Sequence, residues 1–159
     1  VVLPSGQRSR VKDIQLGGVP LPAAQAGQSV TLLLEDEIDI SRGDMIVRGG
    51  DEKSALVTRR IEAMLCWLGE SPLDAGRKFV IRQTTRDARA LLDGITYRLD
   101  INSLQQVSAE GIGMNDIARV AFKLAQPLVV DRYDESRATG AFIVIDERSN
   151  NTVGAGMIL

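Results

Sequence analysis

Two β-type runs end the chain, Thr139-Gly-Ala-Phe-Ile-Val-Ile-Asp146 and Asn151-Thr-Val-Gly-Ala-Gly-Met157. Branched and aromatic side chains fit a pleated, half-buried surface, whereas glycine inside a strand marks a place where a neighbour comes close. Such a pair commits the region to a sheet. Closing that sheet into a barrel removes its exposed edges, and small residues at 154 and 156 suit strands that pack tightly.

The chain has 159 residues, 44% hydrophobic and 25% charged, enough for one good core or two small ones and with no sign of disorder. Nineteen basic and 21 acidic residues leave a formal net charge of −2, which offers no bulk attraction to a phosphate backbone and disfavours nucleic-acid binding. Histidine is absent, so the commonest general base and metal ligand is missing, and His-assisted serine, cysteine or zinc chemistry is excluded. The single cysteine, Cys66, lies in Met64-Leu-Cys-Trp-Leu68. It allows no intrachain disulfide and is expected to be a buried thiol in a reducing compartment. No apolar run approaches the roughly 20 residues of a bilayer span, and Val1-Val-Leu-Pro-Ser-Gly lacks a charged leader region, so a cytoplasmic location is expected.

Arg48-Gly-Gly-Asp-Glu-Lys53 reads as a domain boundary. Before it, Val1 to Leu3, Val11 to Leu16 and the buried-looking Val30 to Leu34 read as short strands, with a turn at Pro4 to Gly6 and a loop at 17–27. Some 50 residues bury little surface, and a chain that opens on an apolar pair resembles a piece of something longer, so residues 1–50 are expected to form an incomplete domain. After the boundary, Ile95, Tyr97, Leu99 and Ile101 alternate with polar residues as in a half-buried strand. Asp93-Gly94 suits a two-residue turn, which predicts a hairpin over 86–102. Ala118, Val120, Phe122 and Leu124 predict another strand, and Pro127 begins a separate run, Leu128 to Val130. Between Ser54 and Leu68 a helix capped by Ser54 competes with a strand apolar on both faces; the strand is favoured.

Gly111-Ile-Gly113 lacks the lysine and the launched helix of a phosphate loop and reads as a turn. Glu35 to Asp44 holds five carboxylates without calcium-loop spacing and reads as a solvated loop; its Arg-Gly-Asp has no use in a cytoplasmic chain. Asn150-Asn-Thr152 matches a glycosylation acceptor only by chance in such a chain. Asp131-Arg-Tyr-Asp-Glu-Ser-Arg-Ala-Thr-Gly140 links two apolar runs. Its Arg132 and Tyr133 can bind a partner by fork hydrogen bonds and ring contact, or the loop can be a plain hairpin tip.

Several runs together resemble the GTPase subunit of bacterial sulfate adenylyltransferase. They are Val2-Leu-Pro-Ser-Gly6, Ala26 to Leu32, Glu37 to Asp44, Asp93 to Asn102, Pro127-Leu-Val-Val-Asp-Arg-Tyr133, Thr139 to Asp146 and Thr152 to Met157. The last run alone resembles the terminal strand of elongation factors of the Tu type. The resemblance implies an all-β fold of translation-factor-like barrels: residues 1–50 the rear part of a second-domain barrel, residues 54–159 a complete C-terminal barrel. It also implies a parent enzyme that couples GTP hydrolysis to the synthesis of adenylyl sulfate from ATP and sulfate, in sulfate assimilation and cysteine biosynthesis. The phosphate loop and the Asn-Lys-x-Asp motif have no counterpart here, so this piece is expected to bind no nucleotide or metal and to catalyse nothing. GTP and magnesium would belong to a preceding GTPase domain. Expected partners are that domain and the small catalytic subunit, with an adenylylsulfate kinase following in fused forms. Arg42, Asp44, Arg132 and Tyr133 are the candidate partner interface. The alternatives are a tRNA-binding module of a translation-factor-like GTPase and a free-standing barrel adaptor.

Overall fold

The structure is a computed structural model that describes residues 1–51, 55–74 and 76–159. Ser54, weighed above as a helix cap, lies outside them. The chain divides into two compact units, Val1–Glu52 and Lys53–Leu159.

The first unit holds β1 (Val2–Leu3), β2 (Val11–Leu16), β3 (Val19–Pro20), β4 (Thr31–Leu34) and β5 (Met45–Ile46). They form a β1–β5 pair and a three-stranded sheet ordered β3-β2-β4. Gly17 and Gly18, at φ of 58° and 85°, make the two-residue turn between β2 and β3, a conformation that glycine adopts without a steric penalty. This hairpin occupies the start of the stretch 17–27 expected to be a loop. Among the described residues of this unit only Val2 and Leu3 are large apolar side chains in the buried class, and Leu33, in the run expected to be buried, is exposed. The unit has almost no interior of its own.

The second unit is a closed antiparallel barrel. Its strands are β6 (Leu56–Trp67), β7 (Lys78–Gln83), β8 (Arg86–Leu99), β9 (Gln106–Val107), β10 (Ile117–Val130), β11 (Ala141–Asp146) and β12 (Thr152–Ile158), with one helical turn, α1 (Arg137–Gly140). The sheet order β10-β6-β12-β11-β7-β8-β9 closes through a β10–β8 pairing, giving six barrel strands with β9 as a flap on the end of β8. Residues 56–67 form a strand, and its alternate residues Ile61, Ala63, Leu65 and Trp67 point into the core. Cys66 sits on the other face and is only part-buried, contrary to the core thiol expected, because in a strand it must point opposite to Leu65 and Trp67.

The predicted hairpin at Asp93-Gly94 does not form. β8 runs through both residues, and the turn lies earlier, at Thr84-Thr85, where Gln83 faces Arg86. Asp93 is instead the extra residue of a bulge opposite Ala121 and Phe122, and Thr96 is the extra residue of a second bulge. The second bulge breaks the period of two: Ile95 packs on the core, whereas the Tyr97 hydroxyl meets Met64 Sδ on the outside. Pro127 likewise does not begin a separate strand. It sits in an irregularity of β10 between Lys123 and Leu128, where its missing N–H costs no ladder bond and the Arg59 guanidinium donates to the Ala125 carbonyl.

The interior is organised by rings. Trp67, Phe79, Phe122 and Phe142 form a chain of edge-to-face contacts with centroids 5.7, 6.4 and 6.3 Å apart. The inward residues of β12 are Gly154, Gly156 and Ile158. Gly156 faces Phe142 across the ladder, and a Cβ there would come within 2.3 Å of its ring; at Gly154 the nearest contact, with Leu65, would be 3.2 Å. The closing strand is therefore kept narrow so that the rings fill the barrel.

Gly156→Ala is expected to lower stability by about 1–3 kcal/mol through overpacking, and Gly154→Ala by less, measured by urea unfolding with Trp67 as the sole tryptophan reporter. Residues 55–159 expressed alone are expected to give β-type circular dichroism and one cooperative transition, and residues 1–51 alone to give neither.

Candidate functional site

The loop from Asp131 to Gly140 lies between β10 and β11 and is fastened at many points. The Tyr133 amide donates to the Ile158 carbonyl at 2.9 Å, tying the loop to the closing strand. Thr139 Oγ1 donates to Asp131 Oδ2 at 2.5 Å and lies 2.6 Å from the Ser136 hydroxyl. The Ser136 amide donates to the Arg132 carbonyl, and the Gly140 amide to Ser136 in the turn of α1. A Cβ at Gly140 would lie 2.5 Å from Tyr133 Cα, so only glycine lets α1 press onto the start of the loop. The run Thr139 to Asp146, read as one strand, thus begins with half a helical turn and becomes β11 at Ala141.

On this frame Arg132 is exposed and forks onto Asp134, Nε to Oδ1 at 3.1 Å and Nη2 to Oδ2 at 3.3 Å. The guanidinium holds the Asp134 carboxyl below the usual carboxylate range. A pair this exposed contributes little to folding and can exchange Asp134 for a partner's carboxylate. Tyr133 borders an open recess of about 590 Å³ on the outer barrel wall, with Cys66, Ile143, Ala155 and Met157. This recess escaped the sequence reading, although the unbroken apolar run Met64 to Leu68 was its signal: with one face of β6 in the core, the other had to be apolar and outside.

Arg42 and Asp44 belong to the first unit. Arg42 is exposed, and Asp44 closes a turn in which its Oδ2 accepts the Ser41 amide at 2.9 Å and its own amide donates to the Ser41 carbonyl. The structure therefore brings Arg132 and Tyr133 together and places Arg42 and Asp44 in the other unit.

Elsewhere the barrel wall carries ion pairs. Glu62 binds Arg119 at 2.8 Å and Arg60 at 2.6 Å, and Asp93, turned outward by its bulge, binds Lys123 at 2.6 Å and Arg60 at 2.9 Å. Lys123 and Arg60 hold Asp93 below the usual carboxylate range, and Arg119 and Arg60 do the same for Glu62. The two buried polar side chains among the described residues, Gln83 and Asp146, serve the frame. Gln83 donates to the Thr139 carbonyl at 2.8 Å. Asp146 accepts the Ser149 and Arg148 amides and the Ser149 hydroxyl, which shapes the β11–β12 turn, and it pairs with Arg77 at 2.6 Å. These contacts, the Ser149 amide first, depress its pKa against the opposing effect of burial.

The closed six-stranded antiparallel barrel has the fold of the translation-factor class of β-barrels. The structure of sup35 complexed with GDP superposes with a TM-score of 0.78 over the whole chain and 39% of its own length; at 16% identity this shows the fold alone. The GTP-eEF1A C-terminal domain-like family model matches residues 60–159, and the chain belongs to that family. Among proteins similar along its whole length are the sulfate adenylyltransferase subunit 1 of Bacteroides fragilis (strain YCH46), 43% identical, and that of Laribacter hongkongensis (strain HLHK9), 43% identical over 99% of the chain. The chain spans about a third of the length of these relatives.

Because its folded-state pKa is depressed, Asp146 stabilises the fold fully above the ordinary aspartate value of about 3.9 and loses that contribution as pH falls through its lower folded-state value. Asp146→Ala is expected to cost about 1–3 kcal/mol at neutral pH, since it strands the turn amides and part-buried Arg77. Acid titrations followed by Trp67 fluorescence should show a smaller loss of stability on acidification in Asp146→Asn than in the parent.

Proposed function

We propose that this chain is the non-catalytic β-barrel portion of the GTP-dependent subunit of a sulfate adenylyltransferase. In this reading it docks the small catalytic subunit and helps couple GTP hydrolysis to formation of adenylyl sulfate from ATP and sulfate in the cytoplasm. The observation that carries it is 43% identity along the entire chain to proteins named sulfate adenylyltransferase subunit 1. The nearly coreless first unit supports the rest of the reading: with Val2 and Leu3 as its buried large apolar residues, it is the rear of a barrel completed by strands outside these residues. GTP and magnesium would be held by a preceding domain. The residues here do not fit them, since the sequence has no phosphate loop and the described residues hold no cluster of three or more metal-ligating side chains. In fused forms an adenylylsulfate kinase would follow.

The barrel's part is mechanical. A ligand shifts an equilibrium only through contacts that differ between states, so coupling requires the two nucleotide states of the GTPase domain to meet these barrels differently. Arg132 and Tyr133, projecting from a loop fastened to the closing strand, offer a fork and a ring on a rigid base, the residue types enriched where partners bind. A tRNA-binding reading is less well supported, because Trp67 and all three phenylalanines are consumed inside the barrel, leaving Tyr97 and Tyr133 for base stacking. No helix among the described residues is long and apolar enough to cross a membrane.

The folded chain is expected to retain purified small subunit in a pull-down, and Arg132→Ala and Tyr133→Ala each to weaken it at least about fivefold, the effect of losing roughly 1 kcal/mol. A folded chain that retains no small subunit, or that binds tRNA tightly and in a salt-sensitive way instead, refutes the reading.

A further inference from the structure

The most exposed large apolar side chains of the barrel unit stand together on one turn. Ile101 is 66% and Leu104 71% exposed, between the end of β8 and β9. The turn is closed by hydrogen bonds: Asp100 Oδ1 accepts the amides of Asn102 and Ser103 and the Ser103 hydroxyl, at 3.0, 2.8 and 3.1 Å. The Leu104 amide donates to the Asp100 carbonyl at 2.7 Å, and the Asp100 amide to Gln105 at 2.9 Å. The side chains are therefore held out in water by a hydrogen-bonded frame.

Leu104 also has φ of +58°, a region that glycine or asparagine occupies at far lower cost. For the turn alone, leucine is a poor choice, and its side chain gains nothing from the barrel core. A residue that breaks a local rule without benefit to the fold points to a demand from outside it. The surroundings indicate the kind of partner. Ile101 to Ala109 carries no charge, and the cation nearest the turn in sequence, Arg98, is paired with Asp116 at 3.1 Å. Uncharged amides flanking apolar anchors resemble the centre of a protein interface, and a single cation already paired with a carboxylate opposes phosphate or anionic lipid.

We propose that the Asp100–Gln105 turn is an anchor, inserting Ile101 and Leu104 into an apolar pocket of the small catalytic subunit. The inference rests on the docking function proposed above and names a second, separate element of that interface. A separate subunit suits the anchor better than a domain of the same polypeptide. A tethered domain gains effective concentration from its linker and manages with a more polar contact, whereas an untethered partner needs concentrated apolar hot spots.

The test uses the full chain on a biosensor surface with purified small subunit in solution. Leu104→Asn is the informative variant, because it relieves the backbone while removing the side chain. Its melting temperature should equal or exceed the parent's, yet its affinity should fall at least tenfold; Ile101→Ser should also weaken binding, and Leu91→Ser, at another exposed leucine, should not. If the parent binds and Leu104→Asn binds equally well, the anchor is refuted while docking stands. If the folded parent does not bind, the docking function itself fails and the anchor with it. Flotation with neutral phosphatidylcholine vesicles, or dimerisation in sedimentation, that is lost in Leu104→Asn would assign the turn to a lipid surface or a second copy and overturn the proposal.

Discussion

The barrel depends on one close contact, the Phe142 ring lying against the bare backbone of Gly156. Six strands enclose an interior just wide enough for side chains to fill, and here four rings in edge-to-face sequence fill it from Trp67 to Phe142. The last strand must bring its backbone against those rings and still pair with β6 on one side and β11 on the other. Glycine at 154 and 156 satisfies both demands. A side chain at 156 would run into the Phe142 ring at 2.3 Å, and one at 154 would crowd Leu65 and Trp67 at 3.2 and 3.3 Å.

The rest of the unit is arranged to hold that closure. Gln83 ties the end of β7 to the turn before β11, and Tyr133 is tied by its amide to the end of β12. Asp146 fixes the hairpin that delivers β12, aided by Arg77, which also lies 5.8 Å from the Phe79 ring centroid. Bulges at Asp93 and Thr96 let the long β8 curve around the barrel, and the first also directs a carboxylate outward between Lys123 and Arg60. The buried polar side chains among the described residues are therefore structural, and the docking proposed for this chain is assigned to what projects from the frame, the Arg132 and Tyr133 loop and the Ile101 and Leu104 turn.

Much of this was legible in the order of residues. The strand character of 56–67, the alternation from Ala118 to Leu124 and the closing pair follow from local propensity and periodicity, which report which face of a strand is dry. The loop that carries Arg132 and Tyr133 was legible as polar residues between two apolar runs. Less legible was anything that depends on pairing. Asp93-Gly94 is as good a turn dipeptide as it is a bulge, and only the partner strand β10, running past it, decides between them. Cys66 looked like a core residue because its neighbours were apolar, but Leu65 and Trp67 take the inside and leave Cys66 the outside. The exposure of Ile101 and Leu104 was hidden for the same reason, since Ile101 continued an alternation that the bulge at Thr96 had already broken.

The sequence by itself determined that the chain is β-structured, that it lacks a histidine and a phosphate loop, and that its ending is built for close packing. These are properties of residue type and spacing. Only the tertiary structure decided which bare positions face which rings, where long strands bulge instead of turning, and which apolar side chains stay in water. Each of those depends on a neighbour distant in the chain, and a period of two cannot anticipate the register in which that neighbour arrives.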